Sequence, residues 1–173
     1  MKVFSIFGLS KSGKTSTAEA VISELCRRNY SVGSVKDIHF EGFALDRTGT
    51  DTSRHKYAGS QLVIARGLSE TDVLYPGRLS LKQVLCHFDQ DFVVLEGTNQ
   101  FKGPGIICAY TEQEIDERLR ESVFAVAGRI SDRISEYKGL PVINALTDVG
   151  KLVDLIEASV PEWTGQSGWL EQN

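Results

Sequence analysis

The segment Gly8-Leu9-Ser10-Lys11-Ser12-Gly13-Lys14-Thr15-Ser16 constrains this chain more than any other stretch of it. Gly8, Gly13, Lys14 and Thr15 satisfy G-x-x-x-x-G-K-[ST] at every fixed position, between an apolar run at Val3 to Phe7 and a helical spacing from Lys14 to Arg28. Glycine permits backbone angles that a Cβ would block, so successive N–H groups can converge on an anion at a helix N-terminus. Lys14 is expected to reach the β and γ phosphates, and Thr15 to offer its hydroxyl to Mg²⁺, a hard cation that prefers oxygen. Ser10, Lys11, Ser12 and Ser16 complete the expected cradle. The ligand class that follows is a nucleoside triphosphate.

The rest of the chain alternates strand and helix signals. Ala18, Val21, Ile22 and Leu25 share a helical face, and Ser31 to Val35 follows as a strand that should run parallel to the first. Asp37 to Thr50 has no period and reads as a long loop, of the kind that is usually functional or mobile. A short helix is predicted over Asp51 to Ala58, with Thr50 or Asp51 as its N-cap and Gly59 as its stop. Strands are expected at Gln61 to Ala65, Asp72 to Tyr75, Asp91 to Leu95, Ile106 to Ala109, Val123 to Ala127 and Leu140 to Ile143. Helices are expected at Leu79 to His87, Glu112 to Arg120 and Val149 to Ser159. The pattern implies an α/β fold of the P-loop NTPase type, a mostly parallel sheet with helices on both faces. Residues 1–160 form the nucleotide-binding domain in this reading. Residues 161–173, with Trp163 and Trp169 but no period, form a tail that is loosely packed or docks on a partner.

Magnesium needs an acidic neighbour at the carboxyl end of a nearby strand. Glu96 ends the apolar run DFVVL, and Asp37 ends the second strand; both are candidates, the alternative for each being a strand-end carboxylate that caps a turn.

A net charge of −4 gives no general attraction for nucleic acid, and no apolar run approaches the length of a membrane span. The chain is expected in the cytoplasm. Cys26, Cys86 and Cys108 are widely spaced and odd in number, which suits free thiols buried as small hydrophobes.

The N/T-K-x-D pattern that reads guanine in GTPases is absent. Asn144-Ala145-Leu146-Thr147-Asp148 has the Asn and Asp without the Lys and at the wrong spacing, and Ser131-Asp132 follows the strand ending at Ala127. Asp148 is expected instead to N-cap the last helix. These residues leave the choice between ATP and GTP open.

The phosphate loop, SVGSVKDIHF, DRTGTDTSRHKYAGS and VVLEG together resemble the molybdopterin-guanine dinucleotide biosynthesis protein B family. The resemblance rests on Lys36, His39, Asp46, Gly49, Asp51, Ser53, Arg54, Ala58, Gly59, Glu96 and Gly97, and runs from Met1 to about Asp148. It implies GTP with slow hydrolysis, a homodimer, and assistance to the partner enzyme that attaches a guanine nucleotide to the molybdenum cofactor. Molybdopterin or that guanylyltransferase is then the partner. The family pattern V-E-G-F-K is interrupted here, because Thr98, Asn99 and Gln100 stand between Gly97 and Phe101-Lys102.

Two other classes share the loop. A nickel-insertion GTPase would present clustered Cys and His ligands, whereas His39, His55 and His87 are scattered. A small-molecule kinase could use Arg54, Arg118, Arg120, Arg129 and Arg133 as phosphoryl clamps. Within Asp46 to Gly59, Arg54 is the cation expected to meet the nucleotide or a second anion, with a surface pair to Asp51 or Asp46 as the alternative.

Overall fold

Side-chain alternation along β1, Lys2–Gly8, divides the core of the computed structural model, which describes residues 1–165 and 167–170. Phe4 and Ile6 point to one face of the sheet, where Val21 and Leu25 of α1 (Lys14–Arg27) meet Leu152 and Ile156 of α5 (Val149–Ser159). Val3 and Phe7 point to the other face. There Val3 meets Leu81 and Leu85 of α3 (Leu81–Leu85), and Phe7 joins the cluster around Ile115 of α4 (Glu112–Asp116). Truncating a fully buried member such as Leu152 or Ile156 to Ala costs roughly 2–5 kcal/mol, because transfer and cavity terms add.

The main sheet has five strands in the order β2-β5-β1-β6-β7, all parallel: β2 is Val32–Lys36, β5 Phe92–Glu96, β6 Gly105–Cys108 and β7 Val123–Ala127. The two strands flanking α1 are parallel as expected, with β5 inserted between them. That position explains the unbroken apolar run before Glu96, since β5 is buried along its whole length.

Local signals account for the other elements. Thr50 caps α2 (Asp51–Tyr57), its side chain accepting from the Ser53 N–H, and Gly59 follows with φ +104°. Ser80 and Gln83 form a reciprocal capping box on α3. Asp148 occupies the N-cap position of α5 without a capping hydrogen bond; its carboxylate pairs with Lys151 instead.

Several expectations are corrected. The strands at 61–65 and 72–75 are β3 (Val63–Arg66) and β4 (Thr71–Leu74), an antiparallel hairpin apart from the main sheet. The helix at 79–87 begins only at Leu81 and the one at 112–120 ends at Asp116. The strand at 140–143 shrinks to β9 (Leu140–Pro141), which turns back on β8 (Glu136–Tyr137), while Val142 bridges Val126. Cys108 is buried, but Cys26 and Cys86 are exposed. In the tail, Trp163, Trp169 and Leu170 pack on the cluster containing Phe101, and the Phe101 and Trp169 rings meet edge to face at 5.8 Å. The tail residues Gln166 and 171–173 lie outside the described residues.

Candidate functional site

The loop between β1 and α1 borders a cavity of about 600 Å³ lined by Ser10, Lys11, Gly13, Lys14, Thr15 and Ser16 together with Lys36 and Glu96. Parallel pairing builds this mouth: Ile6 and Lys36 both stand opposite Glu96 across the β5 ladder, so the strand ends bring Glu96 and Lys36 up to the loop. Gly8 and Ser12 lie beneath the lining. A Cβ on Gly8, at φ +151°, would fall 2.0 Å from the Cys108 carbonyl oxygen, so the turn admits glycine alone. Ser12 is buried and its Oγ has no hydrogen-bond partner among the described residues.

Lys14 donates to the Leu9 carbonyl across 2.6 Å, which holds its ammonium over the loop, and burial lowers its pKa from the ordinary lysine value. The Thr15 hydroxyl donates to Glu96 Oε1 at 2.7 Å. Lys36 Nζ closes on the same carboxylate oxygen and stands 3.4 Å from Thr15 Oγ1. Glu96 is 7% exposed, and this ammonium is the cation that its burial requires. Beneath α1, desolvation pushes the buried Cys108 thiol up to about 12 while its Sγ lies 3.5 Å from Thr17 Oγ1, so it stays a neutral packing group.

The two carboxylates proposed for a metal part company. Glu96 stands against Thr15, whereas Asp37 accepts from Arg78 Nη2 at 2.9 and 3.0 Å and faces a second cavity. Thr15 and Glu96 offer hard oxygen donors where the loop would present phosphate oxygens, a set that fits Mg²⁺. Among the described residues no group of three or more His, Cys, Asp and Glu side chains is placed to hold a metal ion.

Arg54 lines neither cavity. It pairs with Asp51 at 3.2 Å with both side chains largely exposed, an ion pair worth ~1 kcal/mol or less. At the start of α2 the Thr50 hydroxyl oxygen accepts from the Ser53 N–H, and Asp46 accepts from the hydroxyls of Thr50 and Thr52. The cation of this segment that lines a cavity is Lys56, paired with Asp46 at 2.5 Å. Helical spacing correctly separates Arg54 from Lys56 but carries no sign of which face turns inward. That second cavity, about 590 Å³, is lined by Phe40, Phe43, Tyr75, Lys56 and Arg78 among others, and Lys36 borders it as well as the first.

A second wall of the first cavity escapes the sequence reading in part. It consists of Gly128, Arg129 and Asp132, just after β7, and Asn144, Ala145 and Leu146, just before α5. Gly128 ties this wall to the phosphate loop. The Arg129 N–H donates to the Ser12 carbonyl at 3.1 Å, and a Cβ on Gly128, at φ +82°, would stand 2.3 Å from that carbonyl oxygen.

Residues 3–129 match the family described as molybdopterin guanine dinucleotide synthesis protein B. A curated molybdopterin-guanine dinucleotide biosynthesis adapter protein from Haemophilus influenzae is 34% identical over 122 residues, covering 65% of this chain and 68% of that one. A probable adapter protein of the same description from Bacillus subtilis is 21% identical over 147 residues, covering 83% and 85%. The crystal structure of Bacillus subtilis MobB superposes with a TM-score of 0.75 at 18% identity, over 94% of this chain and all of that one, and so shares the fold. The chain belongs to the molybdopterin guanine dinucleotide synthesis protein B family.

Proposed function

We propose that this chain is a GTP-binding adapter of molybdopterin guanine dinucleotide biosynthesis. The observation that carries the reading is the Thr15–Glu96 contact at the mouth of a complete phosphate loop, in a chain whose curated relatives are named as adapters of that synthesis. Lys14 and the loop amides would hold the triphosphate, and Thr15 and Glu96 would hold Mg²⁺ in the place that Lys36 now neutralises. Bound Mg²⁺ supplies charge neutralisation of the phosphates. Hydrolysis is slow in this reading, because the buried Glu96 carboxylate beside the phosphates is committed to Thr15 and the metal rather than to an attacking water.

The second cavity suits the other half of the dinucleotide. Its aromatic lining offers stacking faces to a pterin; Lys56 and Arg78, paired here with Asp46 and Asp37, are the cations at hand for its anionic group, and Lys36 borders both cavities. The adapter acts in the cytoplasm as a homodimer, an assembly favoured by the exposed Ile64, Leu68 and Val73 of the β3–β4 hairpin. Adding the purified chain to a molybdopterin guanylyltransferase with limiting GTP tests the reading. Increased guanine dinucleotide formation that disappears with Lys14→Ala is expected; no change with the wild-type chain would refute the adapter role.

A further inference from the structure

We infer that Asp132, aligned by Asn144, forms a base-reading subsite that selects guanine in the cavity that the phosphate loop also lines. The inference deepens the proposed GTP binding and rests on it. Asn144 Nδ2 donates to Asp132 Oδ1 at 2.8 Å, and the Leu146 N–H donates to Asn144 Oδ1 at 2.9 Å. This relay fixes which way the Asn144 amide faces and so presents Asp132 as an acceptor. Among the described residues Asp132 Oδ2 has no hydrogen-bond partner. All three residues line the same cavity as Lys14 and Thr15.

The chemistry of the wall discriminates between purines. A carboxylate that only accepts matches guanine, whose N1–H and N2 amino group are adjacent donors. Adenine presents an N1 lone pair at the corresponding position, which repels a carboxylate and leaves it unpaired. The exposed Leu146 side chain adds an apolar surface on the same wall, suited to the face of a purine ring. The spacing between base and phosphate subsites is fixed by the Arg129–Ser12 hydrogen bond and the close approach of Gly128 to Gly13, 3.1 Å from the position of a Cβ there. Asn144 is a positioning residue: it acts through Asp132.

Calorimetric titration of the full chain with the Mg²⁺ salts of GTP, ATP, ITP and XTP tests the subsite, in wild type, Asp132→Asn and Asn144→Ala, with melting temperatures recorded in parallel. Wild type should prefer GTP over ATP by about 100-fold or more and bind ITP, which lacks the N2 amino group, about 10-fold more weakly than GTP. Asp132→Asn should lose most of the GTP affinity and gain affinity for XTP, whose C2 carbonyl accepts from the new amide, while melting as wild type does. Asn144→Ala should lower the GTP-to-ATP ratio more than it lowers ATP affinity. Equal wild-type affinity for GTP and ITP, or an Asp132→Asn variant that keeps its preference for GTP, would overturn the subsite and leave triphosphate binding standing. Wild type that binds no triphosphate would instead overturn the proposed function itself, and the subsite with it.

Discussion

Glu96 and Lys36 end neighbouring parallel strands, and the ammonium of one neutralises the buried carboxylate of the other where the Thr15 hydroxyl also points. An internal cation therefore stands at the place proposed for Mg²⁺. Replacing Glu96 with Gln keeps the shape and a hydrogen bond to Thr15 but removes the charge. GTP titrated with Mg²⁺ and with EDTA should then show that the Mg²⁺ enhancement of affinity drops about tenfold or more, a change of ~1.4 kcal/mol. An undiminished Mg²⁺ effect would remove Glu96 from the metal site.

Gly128 couples the two walls of the cavity, and its test separates backbone from side-chain chemistry. Gly128→Ala places a methyl 2.3 Å from the Ser12 carbonyl oxygen at φ +82°, so the loops must separate. Denaturant unfolding should register a loss of about 1–3 kcal/mol, the cost of strained backbone. GTP affinity should fall in the same variant, since the phosphate loop moves with Ser12.

The parts of the site that the sequence displays are those made by contiguous residues. Gly8 to Thr15 is a strand, a turn and a helix start in one run, and Glu96 follows an apolar stretch that can only be a central strand. Asp132 and Asn144 meet across the β8–β9 hairpin, and no local pattern marks a pair twelve positions apart. Lys36 lines the cavity, but its bond to Glu96 depends on β5 lying beside β2, a strand order that periodicity does not encode. Arg54 pairs with Asp51 on the surface while Lys56 turns toward Asp46, a difference that their spacing on the helix does not encode. The tail conceals its packing because single aromatic residues in an aperiodic run anchor to a surface made by distant strands.

Asp46 supplies a pH test. The Lys56 ammonium, followed by the Thr50 and Thr52 hydroxyls, holds its carboxyl below the ordinary 3.8, down to about 2. A depressed folded value means that stability is fully present above the unfolded pKa and is lost as pH falls through the folded one. Melting followed from pH 5 to pH 2 should therefore show a decline that flattens in Asp46→Asn. An unaltered acid profile in that variant would show that the pair leaves folding stability untouched.

Trp169 tests whether the tail belongs to the fold. Its ring meets Phe101, which is fully buried, and stands 5.6 Å from the Trp163 ring. Trp169→Ala should destabilise the chain by roughly 2–3 kcal/mol, below the ~3–5 of a fully buried aromatic because Trp169 keeps some exposure. A melting temperature equal to that of wild type would assign the tail to a partner surface instead.

Calorimetric titration of the purified chain with Mg²⁺-GTP, beside the Lys14→Ala variant, tests the central claim most directly. The account predicts saturable binding at one site per chain, a loss of at least about tenfold in the variant, and native-state stabilisation of ~2.7 kcal/mol when GTP reaches about 100 times its Kd. GTP affinity that is the same with and without Lys14 would contradict it.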